Sequence, residues 1–212
     1  MRKVLICIPL SWHMVHREFF FSYQDMVKHA YDNGFSVEFV TCSKIYLHLN
    51  RELLGDATTK IDADYILWLD VDQIYATDTI PVLANHVDNG KLIVTGMTAD
   101  KMTGMSLNYK FNPNEKLFSG VQKMPLVPNQ GLVETECTGF GGVMMHPKVM
   151  NKLIQKPRFS FTNKETIYKD YGNLGEDFAF FWKCKKAKVR IWCDTNLKFG
   201  HLKTETVYSS DR

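Results

Sequence analysis

Nothing in this 212-residue sequence is apolar for long enough to span a bilayer. Its apolar runs, such as Tyr65 to Leu69, fall far short of the roughly 20 residues a membrane helix needs. The N-terminus turns from basic to apolar at Arg2-Lys3-Val4-Leu5, but the apolar stretch stops at Pro9 and no small-residue cleavage site follows. It therefore predicts a first strand rather than a secretion signal, in a soluble protein of the cytoplasm. Cysteine is scarce and unpaired: Cys7, Cys42, Cys137, Cys184 and Cys193 stand singly, which excludes a disulfide framework and the usual paired zinc-ligand spacing. Strong charge is also missing. A net charge of +3, with the one basic run at Lys183 to Lys188 lying on a helix pattern, gives little reason to expect a nucleic-acid surface. Repeats, linkers and low-complexity tracts are absent. What remains is 45% hydrophobic and 23% charged, the composition of one globular domain over residues 1–212.

The order of elements then decides the architecture. Val4 to Ile8 is a continuous apolar run, which suits a strand buried on both faces. Val15, Phe19, Tyr23, Met26, Val27 and Ala30 follow at helical spacing, with Asn33-Gly34 as the stop. Phe35 to Thr41 reads as a second strand, Leu49 to Lys60 as a weaker helix, and Tyr65 to Leu69 as a third, buried strand. Asp78 precedes a helix marked by Ile80, Leu83 and Val87, and Leu92 to Met97 gives a fourth strand. Such alternation predicts an α/β fold with a mostly parallel central sheet flanked by helices. From Thr98 to Glu136 short extended pieces predict a small antiparallel hairpin region. Val143 to Met145 reads as a strand, Pro147 as the first turn of a further helix through Ile154, Glu176 onward as another helix, and Val189 to Cys193 as the last strand.

Ligands of open α/β sheets bind beyond the carboxyl ends of the strands. The third strand delivers Asp70-Val71-Asp72 there, and two carboxylates two residues apart in an extended turn can approach one hard divalent cation. The pattern is weak alone, and Asp62-Ala63-Asp64 repeats it, but that copy precedes the strand. Glu176 and Asp177 open a helix, where first-turn acids complement the helix dipole by about 0.3 to 1 kcal/mol without further purpose. His201, after Gly200, is unremarked by itself.

Taken in order, these segments carry more. Val4 to Pro9, Arg51, the strand ending in Asp70-Val71-Asp72, Thr138-Gly139-Phe140-Gly141-Gly142-Val143, Gly175-Glu176-Asp177-Phe178 and Gly200-His201 together resemble a GT-A-type, family-2-like glycosyltransferase over nearly the whole chain. The resemblance implies a Rossmann-like sheet whose residues 1–97 bind the nucleotide sugar and whose residues 98–203 face the acceptor. It implies Mn²⁺ or Mg²⁺ held by Asp72 and His201, with Asp70 on the metal's water shell and the donor's ribose or sugar. Asp177 becomes the general base for an inverting transfer, with Glu176 orienting acceptor or base. Pro9, Ser11 and Thr41 at the first two strand ends, Arg51, Gly141 and Lys203 become donor contacts.

Plainer readings stand beside some of these. Arg51 also fits an ion pair with Glu52 or Asp56 on its own helix, Lys203 a solvated tail lysine, and Gly139, Gly141 and Gly142 an ordinary bend. Two other functions share the sheet: a sugar-nucleotide pyrophosphorylase and a non-catalytic nucleotide-sugar-binding protein. The first wants a glycine-rich basic loop after the first strand, and Pro9-Leu10-Ser11-Trp12 is neither. The acceptor is open to a glycan, a protein, a small molecule or a modified nucleic-acid base, and the oligomeric state has no signature.

Overall fold

A computed structural model describes residues 1–10, 15–44, 46–101, 103–111, 121–153, 158–159 and 175–202. Strand and helix alternate at first: β1 (Arg2–Pro9), α1 (Arg17–Asp32), β2 (Phe35–Cys42), α2 (Leu47–Thr58), β3 (Tyr65–Trp68), β4 (Gln73–Ile74), α3 (Thr79–Asp88) and β5 (Ile93–Thr98). Short strands follow: β6 (Asn108–Phe111), β7 (Val121–Lys123), β8 (Leu132–Thr135), β9 (Cys137–Thr138) and β10 (Val143–Met145). A helix α4 (Glu176–Lys186) and a long strand β11 (Ile191–His201) close the described chain.

The main sheet has eight strands in the order β2-β1-β3-β10-β5-β11-β4, with β8 against β11. β1 runs parallel to β2 and β3, and β5 parallel to β11; β10 lies antiparallel between β3 and β5. A separate antiparallel sheet, β7-β6-β9, is the hairpin region expected between Thr98 and Glu136. The α/β fold with a mostly parallel, helix-flanked sheet is thus the one the alternation predicts.

The continuous apolar runs work as two-faced strands. Leu5, Cys7, Ile66 and Trp68 point to one side, where Leu54 of α2 and Ala179, Phe180 and Phe181 of α4 cover them. Val4, Ile6, Tyr65 and Leu67 point to the other, against Phe19 and Met26 of α1 and Ile80 and Leu83 of α3. Each fully buried side chain of this kind contributes about 1.5 to 3 kcal/mol. Among the described residues no helix is long and apolar enough to cross a membrane.

Two elements depart from the sequence reading. After Pro147 the chain turns π-helical over Val149–Leu153, and the rest of the expected helix, at Ile154, lies outside the described residues. The Met150 carbonyl accepts from Arg158 Nε at 2.9 Å. The last strand, by contrast, does not stop at Cys193. Its register shifts between Asp194 and Lys198, where Thr195 bonds Gly131 and Gln130, and it then runs on to His201.

Candidate active site at the carboxyl ends of the strands

That extension of β11 builds one half of the site. Beyond the register shift, Gly200 and His201 pair antiparallel with Ile74 and Gln73 of β4, and the Leu202 N–H donates to the Asp72 carbonyl at 2.8 Å. Asp72 and His201 are thereby locked opposite each other, with His201 Nε2 at 3.6 Å from Asp72 Oδ2. His201 Nδ1 lies 2.9 Å from the Ala99 carbonyl, which can only accept, so this nitrogen carries the proton and the lone pair of a neutral ring sits on Nε2. A nitrogen lone pair facing a carboxylate oxygen is a disposition that one shared cation satisfies, so these two residues fit the divalent metal the resemblance implies. Among the described residues no cluster of three or more His, Cys, Asp or Glu side chains gathers in a ligating arrangement. Burial pushes the Asp72 carboxyl up, but His201, which in its protonated form donates from Nε2, and Lys101 outweigh it and hold it well below the usual carboxylate range. Lys101, which no sequence signal marks, donates from Nζ to Asp72 Oδ2 at 2.6 Å.

Asp70 takes no part in that pair. Both its oxygens accept from Arg51 Nη2, at 2.9 and 3.2 Å, and Nη1 of the same guanidinium bonds Glu176. The Arg51 side chain is only 3% exposed and its guanidinium stacks 4.9 Å from the centre of the Phe140 ring. The alternative of an ion pair within its own helix is thus excluded. Glu52 and Asp56 are committed elsewhere: Glu52 accepts the Arg158 and Phe159 amides, and Asp56 pairs with the Arg158 guanidinium at 2.9 Å. Burial alone would favour loss of the Arg51 proton, yet Asp70, Glu176 and Asp177 overcome it and secure the charge. The backbone of Asp70 is fixed as well, since its N–H donates to the Tyr75 hydroxyl at 2.8 Å and that hydroxyl donates to its carbonyl at 3.1 Å.

Glu176 and Asp177 begin α4 directly after Gly175. Asp177 Oδ1 accepts the Phe178 N–H at 2.8 Å, and a side chain on Gly175 would stand 2.7 Å from that oxygen. Glycine is what lets the carboxyl fold back over the helix start. Burial first, then the neighbouring Glu176 charge, push the Asp177 carboxyl up to about 7 against the pull of Arg51. Glu176, expected to orient acceptor or base, bonds Arg51.

The remaining donor-side residues are more scattered. Pro9 is buried at the end of β1, where it pairs with Cys42, and Thr41 is exposed at the end of β2. Asn50, wholly buried beside Arg51, holds both strand exits by donating to the Leu10 carbonyl at 3.4 Å and the Lys44 carbonyl at 3.3 Å. A side chain at Gly141 would collide with the Gln73 amide, and one at Gly142 with the Phe199 ring, so protein packing accounts for both glycines. Ser11 and Lys203 lie outside the described residues. The second carboxylate pair does structural work at the far end of β3, where Asp64 Oδ2 accepts the Lys3 N–H at 2.7 Å.

No protein-family model and no curated protein matches the sequence. Solved structures do. A197 from STIV superposes with a TM-score of 0.64 at 19% identity, the match covering 96% of this chain and 87% of that one. GalNAc-T7, solved with UDP, GalNAc and Mn²⁺, gives a TM-score of 0.56 at 9% identity over 95% of this chain and 44% of its own. The chain therefore has a GT-A-type glycosyltransferase fold.

Proposed function

We propose that the chain is a metal-dependent glycosyltransferase that moves a sugar from a nucleoside-diphosphate sugar to a hydroxyl acceptor. The observation that carries this reading is the meeting of Asp72 and His201 at 3.6 Å beyond the end of β3, on a GT-A-type sheet. GalNAc-T7, of that fold, was solved with a nucleoside diphosphate, a sugar and Mn²⁺. When bound by Asp72 and His201, Mn²⁺ or Mg²⁺ supplies positive charge to the diphosphate leaving group.

The chain's own residues do the rest. Arg51 holds and orients Asp70, so that a fixed carboxyl group remains available to the donor's hydroxyls and to the metal's water shell. The same guanidinium ties that aspartate to Glu176, and hence places the start of α4 relative to the donor side. Asp177, one residue on, is the base that takes the acceptor proton, and a carboxyl pushed up to about 7 is well matched to that task at neutral pH. That role belongs to a transfer that inverts the anomeric centre. The acceptor hydroxyl sits on a glycan, a protein, a small molecule or a modified nucleic-acid base.

Thermal stability with a panel of nucleoside diphosphates and nucleotide sugars, each with and without Mn²⁺, tests the donor half on the native protein and on Asp72→Ala. A ligand at about 100 times its Kd adds about 2.7 kcal/mol, which shifts the midpoint by several degrees. A shift that needs Mn²⁺ and vanishes in Asp72→Ala is expected. Equal shifts in both proteins, or none with any nucleotide, refute the proposal.

A further inference from the structure

Both aspartates of the turn after β3 already carry a cation of the protein itself: Arg51 on Asp70 and Lys101 on Asp72. The two cations differ in kind. Arg51 is almost wholly enclosed and bridges two carboxylates, whereas the Lys101 side chain is 36% exposed and reaches in from the hairpin between β5 and β6. That hairpin is held without it. Ala99 bridges Ser106, the Gly104 N–H donates to the Asp100 carbonyl at 2.9 Å, and Asp100 Oδ1 accepts from the Thr103 N–H at 2.9 Å. The lysine stem can therefore swing away while the backbone that fixes His201, through the Ala99 carbonyl, stays in place.

Lys101 and His201 converge on one atom. Asp72 Oδ2 lies 2.6 Å from Lys101 Nζ and 3.6 Å from His201 Nε2. A divalent cation between Asp72 and His201 would draw on the oxygen that faces His201, the one Lys101 now holds, and it is repelled by an ammonium at that distance. The two cations therefore compete for it.

We propose that Lys101 is an exchangeable cation: it holds Asp72 until Mn²⁺ or Mg²⁺ displaces it, and in doing so it sets the metal affinity of the site. This rests on the reading that Asp72 and His201 bind the metal. The inference assigns to the chain a built-in competitor, so metal enters only at the concentration that overcomes one ion pair. The hairpin then serves two ends, orienting one ligand through Ala99 and guarding the other through Lys101.

Mn²⁺ alone, titrated into the full chain and followed by the loss of the free-ion electron paramagnetic resonance signal, reads the exchange without any sugar donor. Four proteins are compared: the native chain, Lys101→Met, Lys123→Met and Asp72→Asn. Lys123 pairs with Asp100 at 3.5 Å on the same hairpin, so its removal changes the local charge without touching Asp72. Lys101→Met is expected to bind Mn²⁺ about tenfold more tightly, and Lys123→Met within about twofold of the native protein. Equal tightening in both lysine variants, or none in Lys101→Met, overturns the exchange. If Asp72→Asn binds Mn²⁺ as the native chain does, the metal reading itself fails, which is a separate result.

Discussion

Asp70 and Glu176 lie on opposite sides of the site and share one guanidinium, that of Arg51, inside the protein. The arrangement fixes a turn after β3 to the first residue of α4 by charge rather than by chain connectivity. Its members are not interchangeable. Arg51→Met leaves two poorly exposed carboxylates facing each other without compensation, a defect of about 3 kcal/mol or more. Its thermal midpoint should fall by about 10 °C. Arg51→Lys keeps the charge but loses the planar fork, and should recover less than half of that loss. Differential scanning of the three proteins decides; a midpoint for Arg51→Met within about 2 °C of native would show that the bridge carries no stability.

The proposed metal ligands, Asp72 and His201, make a sharper demand on activity. Asp72→Asn preserves shape and removes the charge, and His201→Ala removes the second ligand. Each should lower kcat by at least about two decades, since losing ~2.7 kcal/mol of leaving-group stabilisation corresponds to a hundredfold. Stability should move little for His201→Ala, because β11 still pairs with β4 through its backbone. A chelator should silence the native enzyme and added Mn²⁺ should restore it. Donor turnover unaffected by chelation would separate this chain from the metal-dependent route.

Much of this was legible before folding. The buried strands were written as apolar runs, Val4 to Ile8 and Tyr65 to Trp68, because a strand covered on both faces has no polar positions to betray its period. Asp72, His201, Arg51, Glu176 and Asp177 stood out through their order along the chain. What could not be read is what depends on long-range register. Lys101 meets Asp72 only because the β5–β6 hairpin folds over the sheet end, and one lysine between Asp100 and Met102 carries no local signal. Tyr75 and Asn50 were equally silent, since each acts by bonding backbone groups of other segments. The extension of β11 depended on a register shift at Asp194, which periodicity does not record. The bond between Glu176 and the buried Arg51 was silent too, because spacing shows its proximity to Asp177 and not a partner 125 residues away.

Gly34, before β2, and Gly142, after β9, separate two costs that sequence alone confounds. Gly34 and Gly142 both sit at positive φ, 78° and 80°, but nothing lies within 4 Å of a side chain built at Gly34, whereas one at Gly142 meets the Phe199 ring. Gly34→Ala should therefore cost only the backbone term, about 1 to 2 kcal/mol. Gly142→Ala adds a collision with a buried ring next to the Gly200-His201 pairing, and should cost about 3 kcal/mol or more. Urea denaturation midpoints rank them. Equal losses at the two positions would mean that Phe199 yields freely.

The carboxyl of Asp177 links activity and stability to pH in opposite senses. As a base it must be unprotonated, so kcat/KM should rise with pH, level off above about 7, and fall tenfold per unit well below it. Asp177→Asn should remove that limb together with about two to four decades of rate. Stability runs the other way. The folded carboxyl holds its proton up to about 7 while the unfolded one releases it near 3.8, so the folded state binds more protons between these values and loses stability as pH rises through them. Above that window the native protein carries the penalty of a buried, like-charged neighbour to Glu176, which an amide does not. Asp177→Asn should accordingly melt several degrees higher than native at pH 8 and close to native at pH 4. Melting curves for both proteins across that range test the sign directly: a variant less stable than native at pH 8 would place the ionised carboxylate among the groups that hold the fold, and not among those the fold strains to keep.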